Sequence, residues 1–549
     1  MITVGVALSL PWLATAVTRT LTPPMGWNSY NYYNCYPNET IIKSNAWGLV
    51  ELGLSTVGYN IVTPDCGWPS KNRTADGQIT WNPELFPSGF PALGEYIHGL
   101  GLKFGLYSGA GVWECTPDNG EWYLQASLGH EVEDAHTFAT WGGDALKYDN
   151  CWANKIDTTI RFVDYNPSER DPSVRFAAMS DALSSVNRSI IFSICQWGVG
   201  QDLGVWAPKY GNTWRISNDI QDNWKSIWRI VNQAVPYVKH TGVGKYIDMD
   251  ILTVGLGALS YEEERFHFGM WAISKSPLVI GAPANSSLTP AGSLAILLNK
   301  DVVALNQDRL GEQAQLIRRY TEEGYDIFAG NISGSRKVIG VANWSNSSKS
   351  VDIDLQLVGV QKSGNIQDVW AAKSIGPYEG ALKVDLEGHE AKLLILPVSA
   401  QLTYNVEPSY YSAVTGILQG DVKSVNCGDG CLPTGSKVTN MTIGSSVTFG
   451  NVSGGVLGGT KLIGIDYINY DVALASAWTN GTNTRNFTLS VNGREPRRWS
   501  FPISGGDWYE TGRLDVLADG FYVGPVNELR VEAPGLDPGA DLVGFAVYT

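Results

Sequence analysis

Histidine is scarce in this chain, six in 549 residues, and none stands in an HExxH pair. That removes the commonest zinc-hydrolase arrangement. No G-x-x-x-x-G-K-S/T stretch occurs, so an ordinary phosphate loop is absent. Positive charge is also in short supply, with 39 basic residues against 54 acidic and a net charge of −15. Such a balance argues against nucleic acid and against an anionic membrane surface as partners. After the first eighteen residues, no run is long and apolar enough to span a bilayer. Neither a solenoid repeat nor a low-complexity linker is visible. What remains, 44% hydrophobic and 17% charged, is the composition of a folded chain of two to four domains.

Residues 1–18, MITVGVALSLPWLATAVT, form an apolar run with a small-residue site at Ala14-Thr15-Ala16, although no positive charge precedes it. They read as a secretory signal peptide. Sequons spread along the chain at Asn38, Asn72, Asn187, Asn285, Asn331, Asn343, Asn346, Asn440, Asn451, Asn480 and Asn486 agree with secretion and predict N-glycans. Seven cysteines in an oxidising compartment leave one unpaired. Cys195, inside the apolar run SIIFSICQW, is the best buried candidate. Cys427 and Cys431, in CGDGC, could close a tight loop or bind a metal. No second Cys or His pair accompanies them, which favours the disulfide.

From residue 19 to about 312, short β-like runs alternate with amphipathic stretches such as FPALGEYIHGLG. The runs are 59–65, 103–109, 145–150, 190–197, 213–219 and 276–282, and 25–30 with a run near 237–244 brings the count to eight. Alternation of this kind builds parallel βαβ units, and the size suits a (β/α)8 TIM barrel. Residues 313–400 show strands in quick succession and predict an antiparallel β domain. The Gly/Thr/Ser/Asn-rich 401–549 reads as a β-sandwich.

Several barrel runs end in polar side chains: Asp65, Tyr107, Asp149, Gln196 and Asp219. One aspartate after a strand often only caps the next helix. Five such residues at the carboxyl rim of one barrel would converge on one pocket. No G-x-S-x-G elbow stands at these ends. Carboxylates remain, among Trp27, Tyr30, Trp68, Tyr107 and Trp197. A carboxylate pair beside aromatic rings is what glycoside hydrolysis requires.

The stretches TPPMGWNSYNYYNC (22–35), WGGDALKYDNC (141–151), SICQWG (193–198), WRISNDIQDNWKSI (214–227) and DVVALNQDRLG (301–311) resemble glycoside hydrolase family 27. That family holds α-galactosidases and α-N-acetylgalactosaminidases, and the likeness runs in order over about 22–400. It implies a (β/α)8 barrel, an antiparallel β domain, a retaining mechanism and no metal or cofactor. By position it implies Asp149 as nucleophile and Asp219 as general acid/base. The two carboxyls would then lie within about 5–7 Å. Lys147, Arg215, Tyr107 and Asp65 match sugar contacts. Cys35–Cys66 and Cys115–Cys151 match as disulfides, the second clamping the nucleophile loop. A cation two residues before Asp149 lies on the same side of a strand and favours its ionised form.

Three departures touch the sugar shell. Asp65-Cys66 stands where the family usually has two aspartates for the hydroxyls at carbons 4 and 6. Gln196 replaces a glutamate near the 2-hydroxyl, and Tyr30 replaces a stacking tryptophan. The implied activity is a secreted exo-glycosidase acting on terminal α-D-galactosyl groups of oligosaccharides or plant galactomannan. β-L-Arabinopyranoside hydrolysis stays open, because that sugar lacks the hydroxymethyl group. A binder without catalysis also stays open, as does α-N-acetylgalactosaminide hydrolysis, which needs space near Gln196 and Val199. Residues 401–549 resemble a carbohydrate-binding module of family 35, with Tyr470, Trp478, Trp508 and Tyr522 as candidate sugar contacts or sandwich core.

Overall fold

The computed structural model describes residues 19–116, 123–153, 171–198, 202–360, 362–398, 407–472, 482–535 and 538–549. The leader, Val199, Trp478, Asn480 and the expected boundary at 400 lie outside the described residues.

Eight parallel strands form the first unit: β1 (Met25–Asn28), β2 (Ile61–Thr63), β3 (Lys103–Gly109), β4 (Ala145–Asp149), β5 (Ile191–Ile194), β6 (Thr213–Arg215), β7 (Tyr246–Asp248) and β8 (Leu278–Ile280). Strands β1 to β7 pair in sequence order, and β1 pairs also with β8. The ring closes just beyond β7 through one parallel bridge, Leu252 to Ile280. There the Leu252 N–H donates to Val279 O at 2.7 Å, and the Gly281 N–H donates to Leu252 O at 3.1 Å. This is the expected (β/α)8 barrel.

Most of the strands run only three to five residues, enough to cross the buried waist, and β3 runs seven; nearly all their residues are buried or half-buried. Ile61, Ala145 and Ile191 fill a layer of the barrel interior. Leu146 and Tyr148, one residue out of step, are fully buried on the outer side of β4, where Tyr148 meets Phe176 of the helix layer. Two helices of that layer matter below: α1 (Trp224–Ala234), which follows β6, and α2 (Tyr261–Ile273), which follows β7. Asn223 caps α1 by accepting from the Ser226 N–H, and Ser260 and Glu263 form a capping box on α2.

The seventh strand is not where the sequence placed it. Val235–His240 is a 3-10 helix, and the strand is Tyr246–Asp248. Pro236 removes a backbone donor that a central strand would use, so the β-branched residues around it pack in a helical turn instead.

Antiparallel strands follow. Tyr325–Ile332 lies between Gln315–Tyr320 and Arg336–Asn343, which pairs on with Ala391–Pro397. Beyond residue 407 two antiparallel sheets stack. One centres on Gly459–Ile468, between Gly512–Phe521 and Asp541–Tyr548. The other joins Ser446–Ser453, Pro525–Glu532, Thr484–Val491 and Arg497–Pro502.

The sandwich is bonded to both preceding units. Arg319, fully buried, forms a two-armed pair with Asp326 and donates through Nη1 to Ser500 O at 3.1 Å. The Ser500 N–H donates to Thr321 Oγ1 at 2.9 Å, and Arg318 reaches Asp515 at 3.2 Å.

Candidate active site

The carboxyl ends of β2 to β6 bring Asp65, Tyr107, Lys147, Asp149, Gln196, Arg215 and Asp219 to one rim. Register does the first part of the work. Tyr107 of β3 lies opposite Lys147 of β4, and Gly109 opposite Asp149. The two-residue period of β4 then points Lys147 and Asp149 the same way, toward the barrel axis.

Asp149 is buried and held from three directions. The Tyr107 hydroxyl donates to Oδ2 at 2.9 Å. The Trp197 indole N–H and the Asn150 N–H both donate to Oδ1 at 2.9 Å. Trp197 reaches it because the chain takes a left-handed turn there, φ 70° at Trp197 and 73° at Gly198. Gly198 has no alternative: a Cβ would lie 1.9 Å from Ile216 O. Burial raises the Asp149 pKa, Lys147 lowers it, the like charges of Asp219 and Asp65 raise it, and the Tyr107 hydrogen bond lowers it; the net shift is upward.

The Lys147 ammonium donates to Asp65 Oδ2 at 2.8 Å and lies 5.2 Å and 5.5 Å from the ring centres of Tyr107 and Tyr30. Its pKa stands well above the ordinary value, because the attraction of Asp65 and Asp149 outweighs desolvation. Asp65 is held by three donors of the protein, Lys147 among them. Its Oδ2 also accepts from Asn28 at 2.7 Å, and its Oδ1 accepts from the Cys66 N–H at 3.0 Å. Tyr30 sits among these charges, and Asp219 together with burial pushes its hydroxyl pKa up. Gln196 is buried, and its Oε1 accepts no hydrogen bond among the described residues.

At the end of β6 Arg215 pairs with Asp219. Its second arm donates to Asp250 Oδ1 at 2.6 Å, and its Nε donates to Ser217 O at 2.9 Å. The Arg215 pKa rises well above the ordinary value, burial opposing and Asp250 supporting the charge. Asp219 keeps a side chain 46% exposed, the open face that a group exchanging protons with a ligand needs.

Sequence reasoning missed Asp250. It takes a positive φ of 84°, accepts from the Ile220 and Ile251 N–H groups at 2.7 and 2.8 Å, and thereby ties the Asp219 loop to β7. The stretch YIDMD at 246–250 is another polar strand end and would have found it, had β7 been placed correctly. Asn28 was missed too. Asn150 accepts from buried Arg175 at 2.7 Å. Two aromatic candidates belong elsewhere. Trp68 is buried against Phe90 and Trp141, and Trp27, also buried, donates to Ala282 O at 2.9 Å. Their ring faces serve the core.

Covalent links hold the rim. Cys35–Cys66 joins the segments after β1 and β2, and Cys115–Cys151 joins those after β3 and β4. Cys427–Cys431 closes a loop of the sandwich, and Cys195 is free and buried.

Residues 22–308 match the family described as Alpha galactosidase A, and 322–396 match an alpha galactosidase C-terminal beta sandwich domain. A probable alpha-galactosidase D of Aspergillus niger is 38% identical, over 96% of this chain and 95% of that protein. Among solved structures, alpha-galactosidase I of Mortierella vinacea aligns with a TM-score of 0.63 at 31% identity, over 70% of this chain and 99% of that one. A Saccharomyces cerevisiae alpha-galactosidase solved with raffinose aligns with a TM-score of 0.62 at 27% identity, over 69% and 98%. On the order of the strands, the rim they build and this agreement over nearly the whole chain, the protein belongs to the alpha-galactosidase family, glycoside hydrolase family 27.

Proposed function

We propose that the chain is a secreted, retaining exo-glycosidase that removes terminal α-D-galactosyl groups from galacto-oligosaccharides or galactomannan. One observation carries this reading: a buried carboxylate, Asp149, is fixed by three donors and feels the charges of the Lys147 ammonium and of a second, open carboxylate, Asp219, which is paired with a buried guanidinium. Asp149 attacks the anomeric carbon while Asp219 protonates the departing oxygen. Water then attacks the galactosyl–enzyme ester, giving its proton to Asp219 and releasing Asp149. The alpha-galactosidase relatives support the sugar.

A second sugar is favoured by Asp65. Three of its acceptor positions are already taken, and its neighbour Cys66 is held in a disulfide, so no second carboxylate stands there for a hydroxymethyl group. Initial rates on nitrophenyl α-D-galactopyranoside and β-L-arabinopyranoside, with Asp149→Asn as the blank, decide. Faster galactoside turnover supports the proposal; faster arabinoside turnover replaces the sugar; no rate above the blank on either ends the catalytic reading.

Secretion is supported by the apolar leader and by three disulfides. For the sandwich we propose a carbohydrate-binding module like those of family 35. Tyr522 supports it, 60% exposed in a tip with Val456, Leu457, Val523 and Val526. Trp508 contributes one ring face at most, since Arg485 lies 4.8 Å from its ring centre. Galactomannan retardation in an affinity gel tests this: Tyr522→Ala should abolish it, and unchanged mobility rejects the module.

A further inference from the structure

Arg229, on α1, is buried and forms no salt bridge with a carboxylate among the described residues. Its Nη2 donates to the backbone oxygen of Asp219 at 3.1 Å and to Ser226 Oγ at 3.1 Å. Ser226 Oγ in turn accepts from the Gln221 N–H at 3.0 Å, so both sides of the Asp219–Gln221 segment are held. The other arm, Nη1, has no hydrogen-bond partner among the described residues. A buried guanidinium in this state is costly, and a hydrophobic residue would fill the space more cheaply. Its one evident service is to fix the peptide of Asp219.

The sandwich holds this helix in place. Asn483, itself buried, takes a left-handed φ of 55°, which asparagine tolerates well. Its Nδ2 donates to Arg229 O at 3.0 Å and to Gln233 Oε1 at 2.9 Å. Gln233 in turn packs on the Trp197–Gly198 turn: a Cβ on Gly198 would lie 2.6 Å from Gln233 Nε2. One side chain of the third domain thus bonds to the helix backbone at Arg229, behind Asp219, and to Gln233, which packs on the turn that aims Trp197 at Asp149.

We infer that Arg229 and Asn483 are positioning residues for Asp219, and that through them the sandwich orders the acid/base loop of the barrel. The inference rests on the acid/base role of Asp219 proposed above. A group that positions the proton donor matters most when the leaving group is poor, because a good one departs unprotonated.

The test is kcat/KM, which reports steps through the first covalent one, on raffinose and on dinitrophenyl α-D-galactopyranoside. The variants are Asp219→Ala, Arg229→Met, Arg229→Lys and Asn483→Gly in the full chain. Asp219→Ala should lose at least about a hundredfold more on raffinose than on the dinitrophenyl substrate. Arg229→Met and Asn483→Gly should lose roughly tenfold on raffinose and under about threefold on the other, with Arg229→Lys recovering part of the loss. Should Arg229→Met not fold, Arg229→Lys and Asn483→Gly, which suits the left-handed backbone, carry the same comparison. Equal losses on both substrates, or none, in these variants overturn the positioning role while Asp219→Ala remains selective. Equal losses in Asp219→Ala itself overturn the acid/base assignment and the inference with it.

Discussion

Asp149 must be a carboxylate in a place that disfavours charge. Its folded pKa is raised, by burial first, so its ionised form is lost as pH falls through a value above the ordinary one. Lys147 is the largest influence in the opposite direction. Lys147→Gln should therefore move the acid limb of the kcat/KM profile to higher pH; an unmoved limb would show that the ammonium acts on the sugar alone. The same shift has a sign in stability. A folded pKa above the unfolded one contributes stability at low pH that is lost as pH rises through it. Asp149→Asn should then cut turnover by at least about a thousandfold while leaving the Tm at neutral pH as high as wild type or higher, a comparison for calorimetry. Asn343 shows where a residue's motif and its place disagree. It stands in a sequon, yet it is fully buried and its Nδ2 donates to Ser347 O and Glu387 O at 2.8 and 2.7 Å. Peptide mapping of protein from a glycosylating host should find Asn343 bare, whereas Asn72, on the surface, is open to modification.

At the scale of elements, the Cys115–Cys151 link closes 36 residues between the segments after β3 and β4. Its removal by paired serines should cost about 4 kcal/mol in the chain-entropy account. It should also lower kcat more than it raises KM, because Asp149 is two residues away; equal stability and kcat would contradict the clamp. The strands that carry this chemistry were legible in the sequence for a physical reason. A buried parallel strand is a short apolar run, and its polar end marks the rim, which is why Asp65, Tyr107, Asp149, Gln196 and Asp219 stood out together. The seventh strand was not legible. Its core is Tyr246–Asp248, and the β-branched run at 237–244, with Val238, Thr241 and Val243, drew attention away from it. Asp250 was lost with it. Arg229 and Asn483 were beyond sequence reasoning, since residues 254 positions apart meet only through the docking of two domains.

In the whole molecule the sandwich is a structural partner of the barrel as well as a candidate module. Leu316 packs against the cores of both, and the Arg319–Asp326 pair bonds onward to Ser500. Arg319→Ala leaves Asp326 buried without its cation and should cost about 3–5 kcal/mol, read by chemical denaturation. A loss below about 1 kcal/mol would mean that water reaches the junction. Truncation near residue 400 would strip the same contacts, so point changes in the sandwich are the cleaner probe of sugar binding. The barrel itself is a ring whose β7–β8 seam carries a single backbone bridge, Leu252 to Ile280, beside the Met249 N–H to Ser276 Oγ hydrogen bond. When such a ring springs, it parts beside Asp250, the anchor of Arg215 and of the Asp219 loop, while Asp149 stays locked in the unbroken wall opposite. Warming should then disable the proposed proton donor before the proposed nucleophile, and an enzyme failing in that order still takes galactose from an activated aryl glycoside after it has ceased to take it from raffinose.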